Sequence, residues 1–321
     1  MPELAWDSAF RRYCVRRLPA QRLLVLNFHR VLLQHDPFDE HSPDRTAFVR
    51  QLDALEGFEV VPLATGLTAL AAGALERTAV ALTFDDGYRE HLSVVAPLLT
   101  ARGLPATVFV SSGFLDGGNM WHDRLLWACR HAPDGLSLRV EGVSVALPPG
   151  TAQRRALADR IIRELKGRPL LEREAAVVAV EEHCQAPALP PLLLDRTGLR
   201  ELAAQPGITI GGHTQHHPIL TSCTAAEARA EIAGCRAELM ALLGVPVPVF
   251  AYPNGHEGSD FGAREVQLVR ESGFAHAVTA DWGVATGSVD PYRVPRLGLY
   301  RRTSLGNTLL LMREALRTSA R

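Results

Sequence analysis

The amino-acid sequence predicts an α/β fold whose mostly parallel sheet is either closed into a barrel or doubly wound. Short apolar or β-branched segments alternate with amphipathic segments of helix length over about seven units, the pattern of a parallel sheet with crossover helices. The length of 321 residues lies within the size range of single β/α barrels. Over residues 117–194 the alternation breaks, and we expect an insertion there.

The predicted strands are short, apolar or β-branched, and separated by helical segments. They comprise residues 22–28, 58–63, 80–84, 106–111, 208–212, 248–252 and 274–279. Between them, apolar residues recur at three- and four-residue steps, the spacing of an amphipathic helix. Such helices are predicted to begin at Asp44, Arg89, Thr224 and Ala263.

This pattern divides the chain into three regions. They are an N-terminal helix over 1–21, a barrel formed by 22–116 and 195–321, and the insertion over 117–194. The N-terminal helix has Trp6, Phe10 and Tyr13 on one side. We expect this helix to pack against the barrel, with peripheral membrane contact as the alternative.

The insertion is predicted to contain both strands and helices. Residues 136–147 have the pattern of a hairpin, and residues 151–183 form an Arg/Glu-rich helical region before a proline-rich exit. We expect this mixed α/β segment to fold over one mouth of the barrel.

Composition excludes some classes of protein. The 34 Lys and Arg against 35 Asp and Glu give a formal charge of −1, so no global positive field attracts nucleic acid. The five cysteines are scattered without a C-x-x-C pair, which indicates free thiols in a reducing compartment. The N-terminal segment lacks the basic region and apolar run of a secretory signal. We therefore expect a cytoplasmic protein.

Two adjacent carboxylates, Asp85 and Asp86, follow an apolar strand directly and precede Gly87. This places both acids at the C-terminal end of a barrel strand, where β/α enzymes build their sites. Adjacent like charges are costly unless compensated, and a divalent cation would compensate them. The alternative is a structural role, with the acids capping the helix that begins near Tyr88.

Two histidines, His213 and His217, follow another apolar strand. Their four-residue separation would bring both imidazoles to one side of a helical turn, at metal-ligand spacing, with His216 pointing elsewhere. Together with Asp86 they would form a catalytic rather than structural metal set, able to polarise a carbonyl and acidify a water. Asp85 is then the natural general base. The predicted chemistry is metal-assisted hydrolysis of an amide or ester.

The motifs T-F-D-D-G at 83–87 and H-T-x-x-H-P at 213–218 resemble those of the polysaccharide deacetylase family, carbohydrate esterase family 4. The resemblance implies a distorted (β/α)7 barrel and removal of N-acetyl groups from amino sugars. It implies Asp85 as catalytic base and a metal held by Asp86, His213 and His217. That metal would be Zn²⁺ or another divalent ion such as Co²⁺, Ni²⁺ or Mn²⁺.

The segment 250–255 resembles the family's third motif, but Ala251 stands where a familiar form has an arginine that pairs with the base. We expect Arg296, near a late strand end, to replace that arginine, with Arg293 as second choice and a structural or solvated role as the alternative. The turn after the strand carries Tyr252, Pro253 and Asn254. Its backbone N–H groups, with that of Asn254 among them, are expected to stabilise an oxyanion.

The family's late Leu-x-x-His motif is absent after residue 280, but Leu26-Asn27-Phe28-His29 closes the first predicted strand. First and last strands are neighbours in a closed barrel, so a histidine at either end can reach the same site. Residues 28–31 also resemble a sequence of exopolysaccharide-processing members. We therefore expect His29 to be the general acid; the alternative is a histidine hydrogen-bonded beneath the site.

At the start of the insertion, Trp121 is a candidate to stack on a sugar ring and Arg124 a candidate to meet a phosphate. The more conservative interpretation is that Trp121 and Trp127 anchor the insertion onto the barrel.

The sequence thus predicts metal-dependent removal of N-acetyl groups from an N-acetylated amino sugar, in a surface polysaccharide or its cytoplasmic precursor. A deformylase or other amide hydrolase, and a non-catalytic carbohydrate-binding protein, remain alternatives. The sequence does not specify the oligomeric state.

Overall fold

The computed structural model describes residues 8–140 and 143–317, so the predicted contact of Trp6 lies outside the described residues. It shows an α/β fold built on one large sheet and a small hairpin. The strands are β1 (Arg22–Phe28), β2 (Glu59–Val60), β3 (Ala79–Phe84), β4 (Ala106–Val110), β5 (Ser137–Val140), β6 (Val143–Ala146), β7 (Ile208–Gly212), β8 (Val249–Ala251), β9 (His276–Trp282), β10 (Ala285–Thr286) and β11 (Val294–Arg296).

Seven parallel strands form the barrel, in the order β1-β3-β4-β7-β8-β9-β11. A parallel bridge between Leu26 and Leu297 brings the end of β11 against β1 and nearly closes it. The prediction of a barrel is therefore confirmed, and so is the expectation that its first and last strands lie side by side. The prediction for 58–63 is wrong in extent, because only β2 forms there and it pairs at one side of β3.

Along β3, the side chains that face the barrel interior change from apolar to polar. On β3, Ala79 and Ala81 belong to the buried apolar cluster inside the barrel, whereas Thr83 is a buried polar residue of the same face and Asp85 follows it. The adjacent positions, such as Leu82 and Phe84, pack into the larger cluster beneath the helices. Alternation of side chains therefore delivers Asp85 to the C-terminal mouth.

The helices are α1 (Ser8–Val15), α2 (Arg45–Asp53), α3 (Leu63–Ala71), α4 (Ala96–Thr100), α5 (Trp121–His131), α6 (Thr151–Leu165), α7 (Leu170–Cys184), α8 (Arg196–Ala203), α9 (Ala225–Leu243), α10 (Ala263–Glu271) and α11 (Ser304–Leu316). The helices predicted at Asp44, Thr224 and Ala263 are confirmed as α2, α9 and α10. The segment predicted to start at Arg89 begins instead with a π-helical turn, His91–Val95, before α4.

The segment 117–194 contains β5, β6 and α5 to α7 and has an apolar core of its own, which includes Leu125, Leu157 and Val177. The hairpin and the helical region are thus confirmed, while the boundaries of the three regions stay a prediction.

Helix α1 packs through one side and exposes another. Arg11 is buried and donates to the carbonyl of Asp53, while the rings of Phe10 and Tyr13 are about half exposed. Val15 of the same helix is buried in the main apolar cluster together with barrel residues, so the helix packs against the barrel as expected. No helix in the described ranges is long and apolar enough to cross a bilayer. All five cysteines are unpaired, as predicted.

Candidate active site

The polar ends of four barrel strands meet at one mouth. His29 follows β1, Asp85 and Asp86 follow β3, His213 follows β7, and Arg296 ends β11. A pocket of about 300 Å³ is lined by all of these residues together with His217 and Asn254. The structure therefore brings together residues separated by more than 250 positions in the sequence.

The backbone at this mouth is unusual. Of the six described non-glycine residues with positive φ, four lie here: Asp86, Thr214, His217 and Asn254. Such conformations are unfavourable for residues with a Cβ and persist where the surrounding structure enforces them. Asp86 (φ 76°) and His217 (φ 52°) are both candidate metal ligands, so the strain coincides with the donor atoms.

Asp85 and Arg296 form a buried bidentate ion pair. Nη1 of Arg296 donates to Oδ1 of Asp85 and Nη2 donates to Oδ2, each at 2.8 Å, and both residues are only 2% exposed. Burial alone raises the pKa of Asp85, but the charge of Arg296 overrides it and holds the pKa below its usual range. Asp85 is therefore an ionised carboxylate, as a proton acceptor must be.

Two further hydrogen bonds hold the side chain of Arg296 in place. Its Nε donates to the carbonyl of Thr279 at 2.7 Å and Nη1 also reaches the hydroxyl of Thr83 at 3.2 Å. The structure thus places Arg296, and not the second-choice Arg293, against the candidate base. Arg293 pairs with Glu257 and Asp290.

Asp86, His213 and His217 converge on one point. Nε2 of His213 and Nε2 of His217 lie 3.5 and 3.4 Å from Oδ1 of Asp86, and all three side chains are buried. Within residues 8–140 and 143–317 that oxygen has no hydrogen-bond partner, and the side chain does not cap the following turn. Two ligands at about 2.0–2.1 Å from a tetrahedral zinc ion lie roughly 3.4 Å apart, so the two distances from histidine to carboxylate fit such an ion. All three donor atoms lie within 4.8 Å of one another.

The tautomer of His213 suits metal binding. Its Nδ1 donates to the carbonyl of Ala251 at 2.8 Å, so Nε2 is the ring nitrogen that faces Asp86. Burial opposes the charged form, but the carboxylates of Asp86 and Asp85 raise the pKa of His213, so metal binding there would release a proton. Burial lowers the pKa of His217 to about 3, despite the opposing charge of Asp86, and so keeps that imidazole neutral. Neutral imidazoles and an ionised carboxylate are the forms that ligate metals.

The expected helical turn between the two histidines is wrong. Residues 213–219 form no helix, and the chain turns back through positive φ at Thr214 and His217. The N–H of His217 donates to the hydroxyl of Thr214, which closes this turn. His216 points away, as expected, and its Nδ1 lies 2.7 Å from Glu231.

His29 stands at the open side of the site. Its Nε2 lies 3.8 Å from Oδ2 of Asp85, and its side chain is 56% exposed. The alternative of a histidine hydrogen-bonded beneath the site fits a different residue, His91. That residue is fully buried in the π-helical turn, and its Nε2 donates to the backbone carbonyl of His29 at 2.7 Å.

The third-motif turn contributes less than expected. Asn254 lines the pocket, and its backbone N–H has no acceptor within the described part of the chain. The side chain of Tyr252 does not reach the pocket: it stacks on Phe261 and donates to the carbonyl of Tyr292. Pro253 does not line the pocket either, and its carbonyl accepts from Gly255.

The segment 117–194 supplies one side of the pocket, from Trp121, His122, Leu126, Arg155, Asp159, Ile162 and Lys166. Trp121 is 6% exposed and belongs to the segment's own core, which favours anchoring over sugar stacking. Arg124 forms ion pairs with Glu174 and Glu181, so it does not face the pocket as a free phosphate-binding group.

Sequence reasoning missed the role of His122, Asp123 and Tyr88. The hydroxyl of Tyr88 donates to Oδ2 of Asp123 at 3.0 Å and lies 3.3 Å from Nε2 of His122. The His122 ring faces that of His217, 6.2 Å between centroids. The sequence contained one indication of this contact: two adjacent polar residues, His122 and Asp123, in the first turn of α5.

Comparison with known proteins agrees with this geometry. The sequence profile described as polysaccharide deacetylase matches residues 72–141 and 175–275. A search of curated proteins gave no significant match.

Solved structures share the fold. The chain is similar to the Streptococcus pyogenes deacetylase PplD in complex with acetate, with TM-score 0.62, 17% identity and coverage of 92% of this chain and 99% of that one. It is similar to IcaB from Ammonifex degensii, with TM-score 0.61, 20% identity and coverage of 94% and 99%. The BpsB deacetylase domain from Bordetella bronchiseptica matches with TM-score 0.53, 17% identity and coverage of 88% and 97%.

The profile match spans more than half of the sequence and includes both the Asp85–Asp86 and the His213–His217 motifs. The chain therefore belongs to the polysaccharide deacetylase family and is a hydrolase acting on the amide bond of an N-acetyl group.

Proposed function

We propose that the chain is a metal-dependent deacetylase of an N-acetylated amino sugar, in a surface polysaccharide or its cytoplasmic precursor, with Zn²⁺ as the first candidate metal. The observation that carries this proposal is the pairing of two sets in one pocket. Asp86, His213 and His217 form a buried donor set, and Asp85 beside it is kept ionised by Arg296. A carbohydrate-binding protein would need neither feature.

When bound, a divalent ion would polarise the acetamide carbonyl and make a water more acidic. Asp85 takes the proton of the attacking water, because each of its oxygens keeps a free lone pair beside the bond to Arg296. The ion pair with Arg296 holds the carboxylate plane fixed, which also fixes the direction of the lone pair that remains on each oxygen.

Two further groups complete the reaction. The backbone N–H of Asn254 is available to donate to the developing oxyanion. Nε2 of His29 can give a proton to the departing amine, since it lies on the open side of the pocket, 3.8 Å from Asp85. Because His29 and Asp85 are so close, a proton that Asp85 takes from water can be transferred to His29 over a short distance.

The test is acetate release by metal-stripped protein, with and without added Zn²⁺, from N-acetylhexosamine oligosaccharides and from precursor forms of the sugar. Matched N-formyl substrates and the variant Asp85→Asn are measured alongside. We expect acetate only with metal and none from Asp85→Asn. Faster release of formate than of acetate would favour the deformylase alternative, and metal binding without any turnover would favour a binding protein.

A further inference from the structure

A second, larger concavity opens beside the catalytic pocket. This cleft, which we call the side cleft, has a volume of about 780 Å³ and is bounded mainly by the 27–51 region and by residues 298–302. His29, Asp86, His122 and Arg155 line both the side cleft and the catalytic pocket. The two spaces are therefore continuous, and a molecule whose acetamide lies at Asp86 can extend into the side cleft.

Three arginines in the side cleft have no acidic partner among the described residues. They are Arg50 on α2 and Arg301 and Arg302, which precede α11. Arg301 and Arg302 are exposed and Arg50 is partly exposed. The only side-chain contact that the structure gives for the guanidinium groups of this trio is that of Arg301 with the ring of Tyr300.

Other arginines of the same cleft are neutralised. Arg30 pairs with Glu90, and Arg155 pairs with Asp159. The contrast matters because paired arginines have their donors occupied. The unpaired trio has free donors on one side of the cleft.

The acidic groups of the side cleft do not cancel this charge. The carboxylate of Asp44 accepts the N–H of Ala47 as the cap of α2, and Asp39 lies near Arg155 and Arg30. Glu40 remains as an exposed carboxylate without a described partner. Asp86 belongs to the metal-donor set, and Asp123 accepts a hydrogen bond from Tyr88. Outside the catalytic pocket, three unpaired guanidinium groups thus face the unpaired carboxylate of Glu40.

Resting on the function proposed above, we propose that the side cleft binds a phosphate or diphosphate ester carried by the N-acetylated sugar. The substrate class is then a glycosyl phosphate or diphosphate rather than a neutral polymer. Guanidinium groups bind phosphate oxygens in a bidentate manner, and several of them suit a group with more than one negative charge. Arg50, Arg301 and Arg302 are the groups that would bind it, at the far end of a cavity whose near end holds the reacting acetamide.

The test compares kcat/KM for four N-acetylhexosamine substrates. These are the uncharged methyl glycoside, the 1-phosphate, the nucleoside diphosphate sugar and a short-chain prenyl diphosphate sugar. We expect the phosphorylated substrates to exceed the methyl glycoside by roughly 10-fold or more, mainly through KM, with the advantage declining as salt is raised. The last two substrates separate a nucleotide source of the diphosphate from a lipid source.

Variants test the arginines directly. Arg301→Gln with Arg302→Gln should bring the ratio of kcat/KM for phosphorylated over neutral substrate close to one. Arg200→Gln, an exposed arginine on α8 outside the cleft, should leave that ratio at the wild-type value. Circular dichroism and melting temperature show whether the double variant is folded, and Arg301→Lys with Arg302→Lys should retain part of the preference.

The outcomes separate the two proposals. Equal kcat/KM for neutral and phosphorylated substrates, with acetate released from both, overturns the side-cleft proposal and leaves the deacetylase function standing. A uronic acid-containing oligosaccharide is measured as a fifth substrate, and a higher kcat/KM for it than for the phosphorylated substrates also overturns the side-cleft proposal. No acetate from any of the four substrates counts against the deacetylase function itself.

Discussion

Both carboxylate oxygens of Asp85 accept hydrogen bonds from the guanidinium group of Arg296, 211 residues later in the sequence. The pair is buried, and Arg296 is held by Thr83 and Thr279 as well. Ala251 stands at the third-motif position where a familiar form of the family has an arginine. The carbonyl of Ala251 accepts a hydrogen bond from His213. The cation beside the candidate base therefore comes from a different strand.

Arg296→Met should destabilise the protein strongly. It leaves a buried, uncompensated carboxylate, a change that costs about 3–5 kcal/mol in the free energy of unfolding. The measurement is urea unfolding, with kcat as a second readout. Arg293→Met is the matched control, since Arg293 forms ion pairs nearer the surface that are worth about 0–1 kcal/mol.

A double-mutant cycle identifies the cause of this loss. In the Asp85→Asn background the carboxylate charge is gone, so Arg296→Met should cost less there than in the wild type. Equal costs in the two backgrounds would show that the loss comes from packing and not from the ion pair.

The sequence predicted the parts of this site that follow strands. Asp85 and His213 come directly after apolar segments, and parallel strands in a barrel end at one mouth, so their proximity follows from the fold. Arg296 could be named as a candidate, but its strand, β11, contains Pro295 and has only three residues. Its place near a predicted strand end made it the first choice over Arg293, but the final assignment depends on which side chain points into the barrel.

Other features depended on tertiary contacts that no local pattern encodes. The positive φ of Asp86 and His217 occurs at residues for which such a conformation is uncommon, so it had no sequence signal. The contact of His122 with Tyr88 joins the insertion to the barrel and depends on how the two pack. Local propensity predicted a regular helix from Arg89, whereas the burial of His91 accompanies a π-helical turn.

Removing a candidate metal ligand should abolish stoichiometric metal binding. Asp86→Asn and His213→Gln each delete one donor of a three-residue set, and we expect about one equivalent of Zn²⁺ in the wild type and far less in either variant. Metal content after dialysis, measured by atomic emission, provides the readout.

His216→Gln is the control for this experiment, because His216 lies in the same motif but bonds Glu231 at the surface. It should retain metal. Full occupancy in the Asp86 and His213 variants would place the metal elsewhere in the molecule.

His29→Gln should slow the hydrolysis of amides more than the hydrolysis of activated esters. If Nε2 of His29 protonates the departing amine, its loss lowers kcat for the N-acetyl sugar by about 10²- to 10⁴-fold. Hydrolysis of 4-nitrophenyl acetate needs no such proton, because its leaving group is stable as an anion. A variant that lost both activities equally would indicate that His29 acts in binding or in positioning Asp85.

His91 should act by positioning His29 through its main chain. Nε2 of His91 donates to the His29 carbonyl at 2.7 Å, and its Nδ1 has no partner. His91→Phe removes the donor and leaves a partly buried carbonyl without it, at a cost of up to about 1–3 kcal/mol, whereas His91→Gln keeps an N–H donor. We expect kcat to fall more in the Phe variant, with metal content unchanged in both.

The pH dependence of stability gives a second readout for His91. Burial lowers the pKa of His91 in the folded protein, so only the unfolded chain binds a proton there just below its ordinary pKa of about 6.5. The free energy of unfolding of the wild type should therefore decline as pH falls through that value. Both His91 variants lack this group and should decline less between pH 7.5 and 5.5, measured by urea unfolding of metal-free protein. Identical slopes in wild type and variants would mean that His91 does not remain neutral in the folded state.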